Sequence, residues 1–262
     1  MNYLNNIRNI VPIYRYDCMW FPIFGDEVFD KIVRHQPYEH NEIEFVQGFL
    51  KKNNVFMDIG ANFGLYSIIA AKLVGEEGKV ISIEPEPGNL KRLKRNVIFN
   101  RISIHIIPLA LGETEGLTEF YSCSQAAYSG LKVSDVPGEI TKIVVPQTTL
   151  DDLHVQFEWT KIDLIKMDVE GAELLVLKGG KDLISKSRPV ILMEFSDKRT
   201  KAYGYSCSEV YQWLRNCDYE FFEFRTNGKM QKHHKKLDYS YDNLVVCPKE
   251  KLYLLNDFLQ GF

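Results

Sequence analysis

Short apolar runs alternate with longer amphipathic stretches along most of this chain. Residues 55–59 have the pattern of a buried strand, and residues 65–74 repeat their apolar positions at helical spacing. The alternation continues to residue 195 and predicts further strands and helices in turn, over residues 79–84, 89–100, 102–109, 163–168, 172–178 and 189–195. Strands joined by helices favour an α/β fold with a mainly parallel sheet and helices on both faces.

The pattern changes in two places. Residues 117–121 predict a short strand, and the less regular segment 122–146 predicts an inserted hairpin or lid. Near the C-terminus, a helix over 208–216 precedes two strands around the turn-prone pair Asn227-Gly228, which adds antiparallel strands at the sheet edge. We therefore expect an N-terminal cap or substrate-side segment (1–50), one α/β domain (51–250) and a C-terminal tail (251–262).

Composition excludes several classes of protein. The 262 residues, 45% of them hydrophobic, suffice for one α/β core, and the net charge of −3 gives no general field that attracts nucleic acid. Five cysteines without a C-x-x-C pair favour reduced thiols over a zinc cluster or a disulfide framework. The first residues do not have the basic and then apolar pattern of a signal peptide, and no apolar run reaches 18 residues. We expect a soluble cytoplasmic monomer or homodimer without membrane insertion or a nucleic-acid partner.

The turn after the first strand has the residues of a cofactor site. Asp58, Gly60, Asn62 and Gly64 occupy this crossover, where glycines permit a tight turn and a close approach of a ligand to the backbone. The dinucleotide fingerprint G-x-G-x-x-G has a middle glycine that is missing here, and Asp58 would repel a pyrophosphate. An acid at this point suits a ligand that carries an ammonium and a sulfonium, as S-adenosylmethionine does.

The second strand ends in another acid. Glu84 lies 24 positions beyond Gly60, near the spacing at which a carboxylate accepts both ribose hydroxyls of an adenosine ligand, and Pro85 follows it. Asn89 is predicted to cap the next helix, because short polar side chains are favoured there. Because of the spacing of Glu84, we add Glu84 and Pro85 to the predicted cofactor site.

Three blocks of the sequence, residues 55–67, 83–89 and 163–173, together resemble the motifs of FkbM-type methyltransferases. The resemblance covers roughly residues 40–200 and implies a Rossmann-like class I methyltransferase fold with a seven-stranded sheet. It also implies O-methylation of a sugar, glycan or other natural product, with S-adenosylhomocysteine as the second product. The acid that many class I methyltransferases carry after the third strand is absent here, so backbone and apolar groups around Ala110 are predicted to contact the adenine.

Carboxylates at the ends of later strands are the predicted catalytic groups. Methyl transfer to a hydroxyl needs alignment of the reactants and a general base for the proton. Asp168 follows its strand directly and is also predicted to contact the cofactor, Glu170 is a competing base or acceptor ligand, and Glu194 ends the neighbouring strand. Asp168 and Glu194 would either raise one another's pKa or share a divalent metal, which is not favoured because no further oxygen ligand follows at a fixed spacing. His35 and His40 rank below these carboxylates as the base.

Other features leave alternatives open. Aromatic residues either stack on a sugar ring or pack in the core, and the set comprises Tyr14, Tyr16, Trp20, Phe21, Phe24 and Tyr128. The lysines of residues 229–236 form either a solvated loop or a site for an acidic glycan carrier. A nicotinamide dehydrogenase, a nucleic-acid base methyltransferase and a non-catalytic cofactor-binding module are the competing functions. The base methyltransferase lacks support because no Asn-Pro-Pro-Tyr segment is present to hold an extruded base.

Overall fold

The computed structural model describes residues 11–13, 18–20, 28, 30–31, 34, 36, 38–123, 129–132, 138–159 and 161–259. Several predicted residues lie outside these ranges, and their roles stay predictions: Tyr14, Tyr16, Phe21, Phe24, His35 and Tyr128. No helix within the described ranges combines the length and apolar character needed to span a bilayer.

The first half of the chain alternates strands and helices after a short hairpin. Its elements are β1 (Val11–Ile13), β2 (Cys18–Trp20), α1 (His40–Phe49), β3 (Val55–Ile59), α2 (Leu65–Val74), β4 (Lys79–Ile83), α3 (Pro87–Asn100), β5 (His105–Ile107), β6 (Ala110–Leu111), β7 (Gly116–Cys123) and β8 (Ile140–Thr148). The bounds of β3 and α2 agree with the prediction from hydrophobic periodicity.

The second half continues the alternation and ends in antiparallel strands. Its elements are α4 (Leu150–Phe157), β9 (Leu164–Met167), α5 (Glu173–Gly179), α6 (Lys181–Ser187), β10 (Val190–Phe195), α7 (Asp197–Thr200), α8 (Cys207–Asn216), β11 (Tyr219–Phe224), β12 (Met230–Lys232) and β13 (Asp242–Pro248). Two short 3-10 helices cover Lys201–Tyr203 and Lys249–Leu255.

Eight of the described strands form the main sheet, in the order β12-β11-β13-β10-β9-β3-β4-β5. The five strands from β10 to β5 run parallel, and β3 pairs with β4 on one side and β9 on the other. The chain order reverses at β3, and open α/β sheets bind ligands outside the carboxyl ends of the strands at such a point. The predicted α/β fold is confirmed, and the cofactor turn follows the central strand.

The sheet edge differs from the prediction by one strand. β13 lies antiparallel between β10 and β11, and the short β12 adds an eighth strand beyond the predicted seven. The reason is the turn at Asn227-Gly228, where both residues have positive φ and Arg225 N–H donates to Lys229 O at 2.8 Å. The turn therefore folds three further residues back onto β11.

The inserted hairpin is longer than predicted. Its arms β7 and β8 pair antiparallel from Gly116↔Gln147 to Cys123↔Ile140, so they begin before residue 122 and end after residue 146. The short strand β6 joins β8 in the same small sheet, and Ala110, Phe120 and Val145 form its core. This sheet stands beside the carboxyl end of β4 and brings apolar side chains to the predicted cofactor site.

Helix α6 was not predicted, because Gly179 and Gly180 were interpreted as the end of a helix. In the structure the chain turns at these glycines, where Leu150 of α4 and the backbone of Gly112 leave no room for a Cβ. The cap of α6 comes from Asp151, whose carboxylate accepts from the N–H groups of Asp182 and Leu183 at 3.0 and 2.8 Å. A cap supplied from 31 residues away leaves no local signal.

Candidate active site

One cavity of about 650 Å³ lies at the carboxyl ends of β3, β4, β9 and β10. It brings together nine of the predicted site residues: Asp58, Gly60, Asn62, Glu84, Pro85, Ala110, Asp168, Glu170 and Glu194. Gly64 does not line the cavity. It precedes α2 with φ +92°, and a Cβ there would overlap the Leu93 side chain, so Gly64 shapes the turn from behind.

The glycine turn packs tightly against the loop that follows β9. Gly60 has φ +79°, and a Cβ at this position would overlap the backbone carbonyl oxygen of Asp168. The contact is continuous with the sheet, because Asp168 N–H donates to Ile59 O at 3.0 Å. Glycine is therefore needed at residue 60 both for the backbone conformation and for the close approach of the two strand ends.

Asp58 holds a buried carboxylate at the floor of the cavity. Its Oδ2 accepts a hydrogen bond of 2.5 Å from Ser67 Oγ, which in turn accepts from Ser82 Oγ at 2.7 Å. The Oδ1 atom is buried and has no hydrogen-bond partner within the described residues. Burial raises the pKa of Asp58, and the nearby Lys166 partly opposes this rise. A buried acceptor without a donor fits the ammonium of an S-adenosylmethionine-like ligand.

Glu84 is fixed across the cavity by backbone donors. Its Oε2 accepts from Asn62 N–H at 2.7 Å, and its Oε1 accepts from Glu86 N–H at 2.9 Å. Burial raises the pKa of Glu84 to about 7. The backbone bonds set the carboxylate in one orientation, as a ribose-binding acid requires.

The predicted capping role of Asn89 is wrong. Helix α3 begins at Pro87, and the cap is Glu86, whose side chain accepts from Asn89 N–H at 2.5 Å. Proline is favoured in the first helical turn because its missing N–H has no partner there, so the helix starts two residues early. The Asn89 amide instead reaches Glu84 Oε1 at 3.4 Å and supports the second-strand acid.

The predicted adenine region has apolar walls. Leu109, Ala110 and Leu111 line the cavity beside Phe120 of the small sheet. Ala110 and Phe120 are buried. This arrangement has the apolar character that was predicted around Ala110.

Lys166 and Asp168 form an ion pair inside the cavity. The Nζ–Oδ2 distance is 2.7 Å, and the ammonium also lies over the Tyr66 ring, 4.9 Å from its centroid. Burial favours the neutral acid, but Lys166 outweighs burial and lowers the pKa of Asp168. The expected mutual rise of two carboxylate pKa values therefore fails for Asp168, because a cation two residues away neutralises it.

Arg199 holds the other two predicted catalytic acids. Its Nε lies 3.0 Å from Glu194 Oε1, and its NH1 group pairs with Glu170. Glu170 has positive φ, and its carboxylate pairs with Arg199 of α7. Burial, followed by the charge of Asp168, raises the pKa of Glu194. Arg199 was not predicted, since no spacing rule links it to the strand ends.

A further acid at the cavity was missed. Glu39 immediately precedes α1, lines the cavity, and accepts a hydrogen bond of 2.7 Å at Oε2 from Tyr66 Oη. Its neighbour His40 was considered, and its Nδ1 lies 3.8 Å from Glu44 on the same helix. The segment before β3 has no motif, so only the folded chain shows that Glu39 reaches the strand ends.

The structure bears on two alternatives that the sequence left open, the role of the aromatic residues and that of the basic segment 229–236. Trp20 is buried and packs edge-on against Phe63 with centroids 5.9 Å apart, which is the core-packing role. In the basic segment, Lys229 donates to Asp257 O at 2.6 Å and Lys236 pairs with Asp242 at 2.8 Å. Across the described ranges, no group of three or more His, Cys, Asp or Glu side chains has the arrangement of a metal site.

Curated relatives share part of this chain. The hexuronic acid methyltransferase AglP of Haloferax volcanii is 31% identical over 143 residues, which cover 54% of this chain and 56% of that protein. The 2-O-methyltransferase NoeI of Sinorhizobium fredii is 28% identical over 165 residues, covering 56% and 65% respectively. The chain therefore spans less than two thirds of either relative.

The crystal structure of an FkbM methyltransferase from Methylobacillus flagellatus KT aligns with a TM-score of 0.47 at 18% identity, covering 84% of this chain and 52% of that one. The Methyltransferase FkbM domain matches residues 58–221, more than half of the chain. The match begins at Asp58 and includes the carboxyl ends of β9 and β10, which line the cavity. The chain belongs to the FkbM methyltransferase family.

Proposed function

We propose that this protein is an S-adenosylmethionine-dependent O-methyltransferase that acts on a hydroxyl of a sugar or glycan. The observation that carries the proposal is the unpartnered, buried Oδ1 of Asp58 in a cavity that also presents the fixed carboxylate of Glu84. A cationic amino group and a ribose diol are complementary to these two acids. The charge of Asp58 disfavours a dinucleotide, whose pyrophosphate would lie near this acid.

The cofactor half of the cavity is assigned to residues near the ends of β3, β4 and β6. Asp58 would hold the amino group, Glu84 the ribose, and Ala110 with its apolar neighbours the adenine, while Gly60, Asn62 and Pro85 shape the walls. When bound, S-adenosylmethionine supplies a methyl group on a sulfonium whose leaving group is a neutral thioether. The protein therefore has to align the acceptor and remove its proton.

The rest of the cavity, around Glu39, Asp168 and Glu194, is assigned to the acceptor. This acceptor half is rich in carboxylates and tyrosines. The cations that line the cavity are already engaged. Lys166 pairs with Asp168, and Arg199 pairs with Glu194 and Glu170. Lys31 also has a partner. An acceptor carboxylate or phosphate would thus meet like charges, whereas sugar hydroxyls would donate to these acids. We propose an uncharged sugar as the acceptor.

The names of the relatives support a sugar or hydroxyl acceptor. One is a hexuronic acid methyltransferase and the other a 2-O-methyltransferase. The acid-rich acceptor half distinguishes this chain from an enzyme for a hexuronic acid. The cytoplasmic location, the monomer or homodimer and the domain bounds stay predictions.

The test has two parts. Calorimetry should detect S-adenosylhomocysteine binding to the full chain and no binding of NAD, and Asp58→Ala should abolish the former. Asp238→Ala, whose side chain is exposed and outside the cavity, is the control that should bind normally. Tritium from methyl-labelled S-adenosylmethionine should pass to p-nitrophenyl β-glucoside in preference to the β-glucuronide. Binding of NAD, or transfer to RNA or DNA alone, would contradict the proposal.

A further inference from the structure

We propose that Glu39 is the general base that takes the proton from the acceptor hydroxyl, an assignment that rests on the proposed function. Glu39 comes from the segment before α1 and lines the cavity. Glu39 also borders the small lobe that Lys166, Asp168 and Glu194 enclose. Glu39 therefore lies beside the strand-end acids Asp168 and Glu194, which are assigned to the acceptor half of the cavity.

The other acids of the acceptor half are engaged by stronger partners. Asp168 pairs with Lys166 at 2.7 Å, while Glu170 and Glu194 both pair with Arg199. Lys166 lowers the pKa of Asp168 and makes it a weaker proton acceptor, whereas burial raises the pKa of Glu194, whose Oε1 is engaged by the Arg199 guanidinium. These acids are better suited to hold acceptor hydroxyls than to remove a proton.

Glu39 has a neutral partner instead. Tyr66 donates to its Oε2 at 2.7 Å, and no other side chain of the described ranges hydrogen-bonds or ion-pairs with this carboxylate. The hydroxyl orients the carboxylate without neutralising it, which leaves Oε1 able to accept a proton. Tyr66 is in turn held beneath the Lys166 ammonium.

The backbone conformation at Glu39 is unusual for a glutamate. Its φ and ψ are both 41°, a left-handed conformation that costs a residue other than glycine about 1–2 kcal/mol. Such strain persists where the surroundings impose it, and it is common at active sites. Here the conformation starts α1 while the side chain turns toward the cavity.

The proton affinity of Glu39 matches the task. Burial raises its pKa to about 7, and the charge of Lys166 opposes the rise. The groups that face it are Lys166, Asp168, Tyr66, Glu42, Glu194 and Tyr241, with Tyr38 next to it in the chain. A base with a pKa near the working pH is both available and effective.

The step balances as follows. The acceptor oxygen gives its proton to Glu39 Oε1 while an oxygen electron pair forms the bond to the methyl carbon. The carbon–sulfur bonding pair leaves with the thioether. Glu39 is then a neutral acid, and it returns the proton to solvent after the methylated product departs.

The experiment compares Glu39→Gln with Glu158→Gln. Glu158 is also a left-handed glutamate at a helix end, with φ 50°, but it is exposed and outside the cavity. We expect Glu39→Gln to keep the wild-type affinity for S-adenosylhomocysteine in calorimetry and to lower kcat for p-nitrophenyl β-glucoside by at least about 10²-fold. Formate should partly restore the activity of Glu39→Ala. Glu158→Gln should match the wild type in both measurements.

The dependence of kcat on pH also tests the role of Tyr66, the hydrogen-bond partner of Glu39. Wild-type kcat should rise with an apparent pKa near 7, since the ionised form of Glu39 is the active one. Tyr66→Phe removes a hydrogen bond that lowers this pKa, so its profile should move to higher pH without loss of cofactor affinity. An unchanged kcat and pH profile in Glu39→Gln, or its loss of S-adenosylhomocysteine binding, would overturn the assignment alone. A wild-type protein that methylates no sugar would overturn the proposed function with it.

Discussion

The backbone carbonyl of Asp168 occupies the space in which any side chain at Gly60 would have to lie. This contact joins the cofactor turn after β3 to the loop that carries Asp168 and Glu170. The two loops that line the cavity therefore pack directly against each other. A small change at Gly60 should disturb both.

The Gly60→Ala variant tests this coupling. The added Cβ must displace the Asp168 carbonyl, and φ +79° is itself unfavourable for alanine, so we expect lost S-adenosylhomocysteine binding and a lower melting temperature. Gly75→Ala is the matched control, because Gly75 has φ +72° but no atom within 4 Å of a Cβ. It should lose about 1–3 kcal/mol of stability and keep the affinity. Equal binding by both variants would show that the contact is unimportant.

The cofactor half of the site was predictable because its parts follow a rule of position. Asp58 and Glu84 lie at the ends of the adjacent strands β3 and β4, and the chain order reverses at β3. Parallel strands bring their carboxyl ends to one edge of the sheet. The spacing of turn and acid is therefore visible in the sequence. The same holds for the core strands and for the bounds of α2, although residues 65–70 of this helix are all buried.

The acceptor half was only partly predictable. Asp168 and Glu194 were found as strand ends, but their charge state depends on Lys166 and Arg199, whose contacts arise from packing. Glu39 enters from before the first parallel strand, where no motif marks it. Likewise α6 depends on a cap from α4. Partnerships between distant elements carry no local pattern, so the sequence shows the acids without showing which of them is free to accept a proton.

The pH dependence of cofactor binding should report on Glu84. Its pKa of about 7 means that it is protonated below pH 7, and a protonated acid accepts the ribose hydroxyls poorly. The affinity for S-adenosylhomocysteine should therefore rise roughly tenfold between pH 6 and 8. Glu84→Gln should bind more weakly and lack this rise in the same calorimetric series. A flat wild-type profile would contradict the ribose assignment.

The stability of the Asp168 loop should depend on the ionisation of Glu173. Its Oε1 accepts from Gly171 N–H at 3.2 Å, and burial raises its pKa to about 7. Between about pH 4.5 and 7, Glu173 therefore keeps its proton in the folded state but has lost it in the unfolded state. The contribution of Glu173 to the free energy of unfolding should fall over this window by on the order of 3 kcal/mol.

Urea unfolding of Glu173→Gln measures this effect. The amide oxygen of glutamine still accepts from Gly171 N–H but does not titrate, so the variant should gain stability relative to the wild type as pH rises from 5 to 8. Glu158→Gln removes an exposed glutamate, and its difference from the wild type should not change with pH. A pH-independent difference for Glu173→Gln would mean that its carboxyl is already ionised at pH 5.

Lys166 should matter more for stability than a surface lysine. It faces the buried carboxylate of Asp58 and the half-buried carboxylates of Asp168 and Glu39, and Lys166→Met would leave them without this cation. Breaking a buried ion pair by removal of one partner costs about 3–5 kcal/mol. The loss in urea unfolding should be largest at pH 8 and should shrink as pH falls, because the abandoned acids then become protonated.

Two further variants separate this charge effect from lost packing. Lys166→Met combined with Asp168→Asn removes both members of the pair, so it should recover much of the stability lost at pH 8 and reduce the pH dependence. Lys142→Met breaks an exposed pair with Glu119, which solvent screens, and should leave the unfolding midpoint nearly unchanged. If the double variant were no more stable than Lys166→Met, the lysine would act through its packing over Tyr66 rather than through its charge.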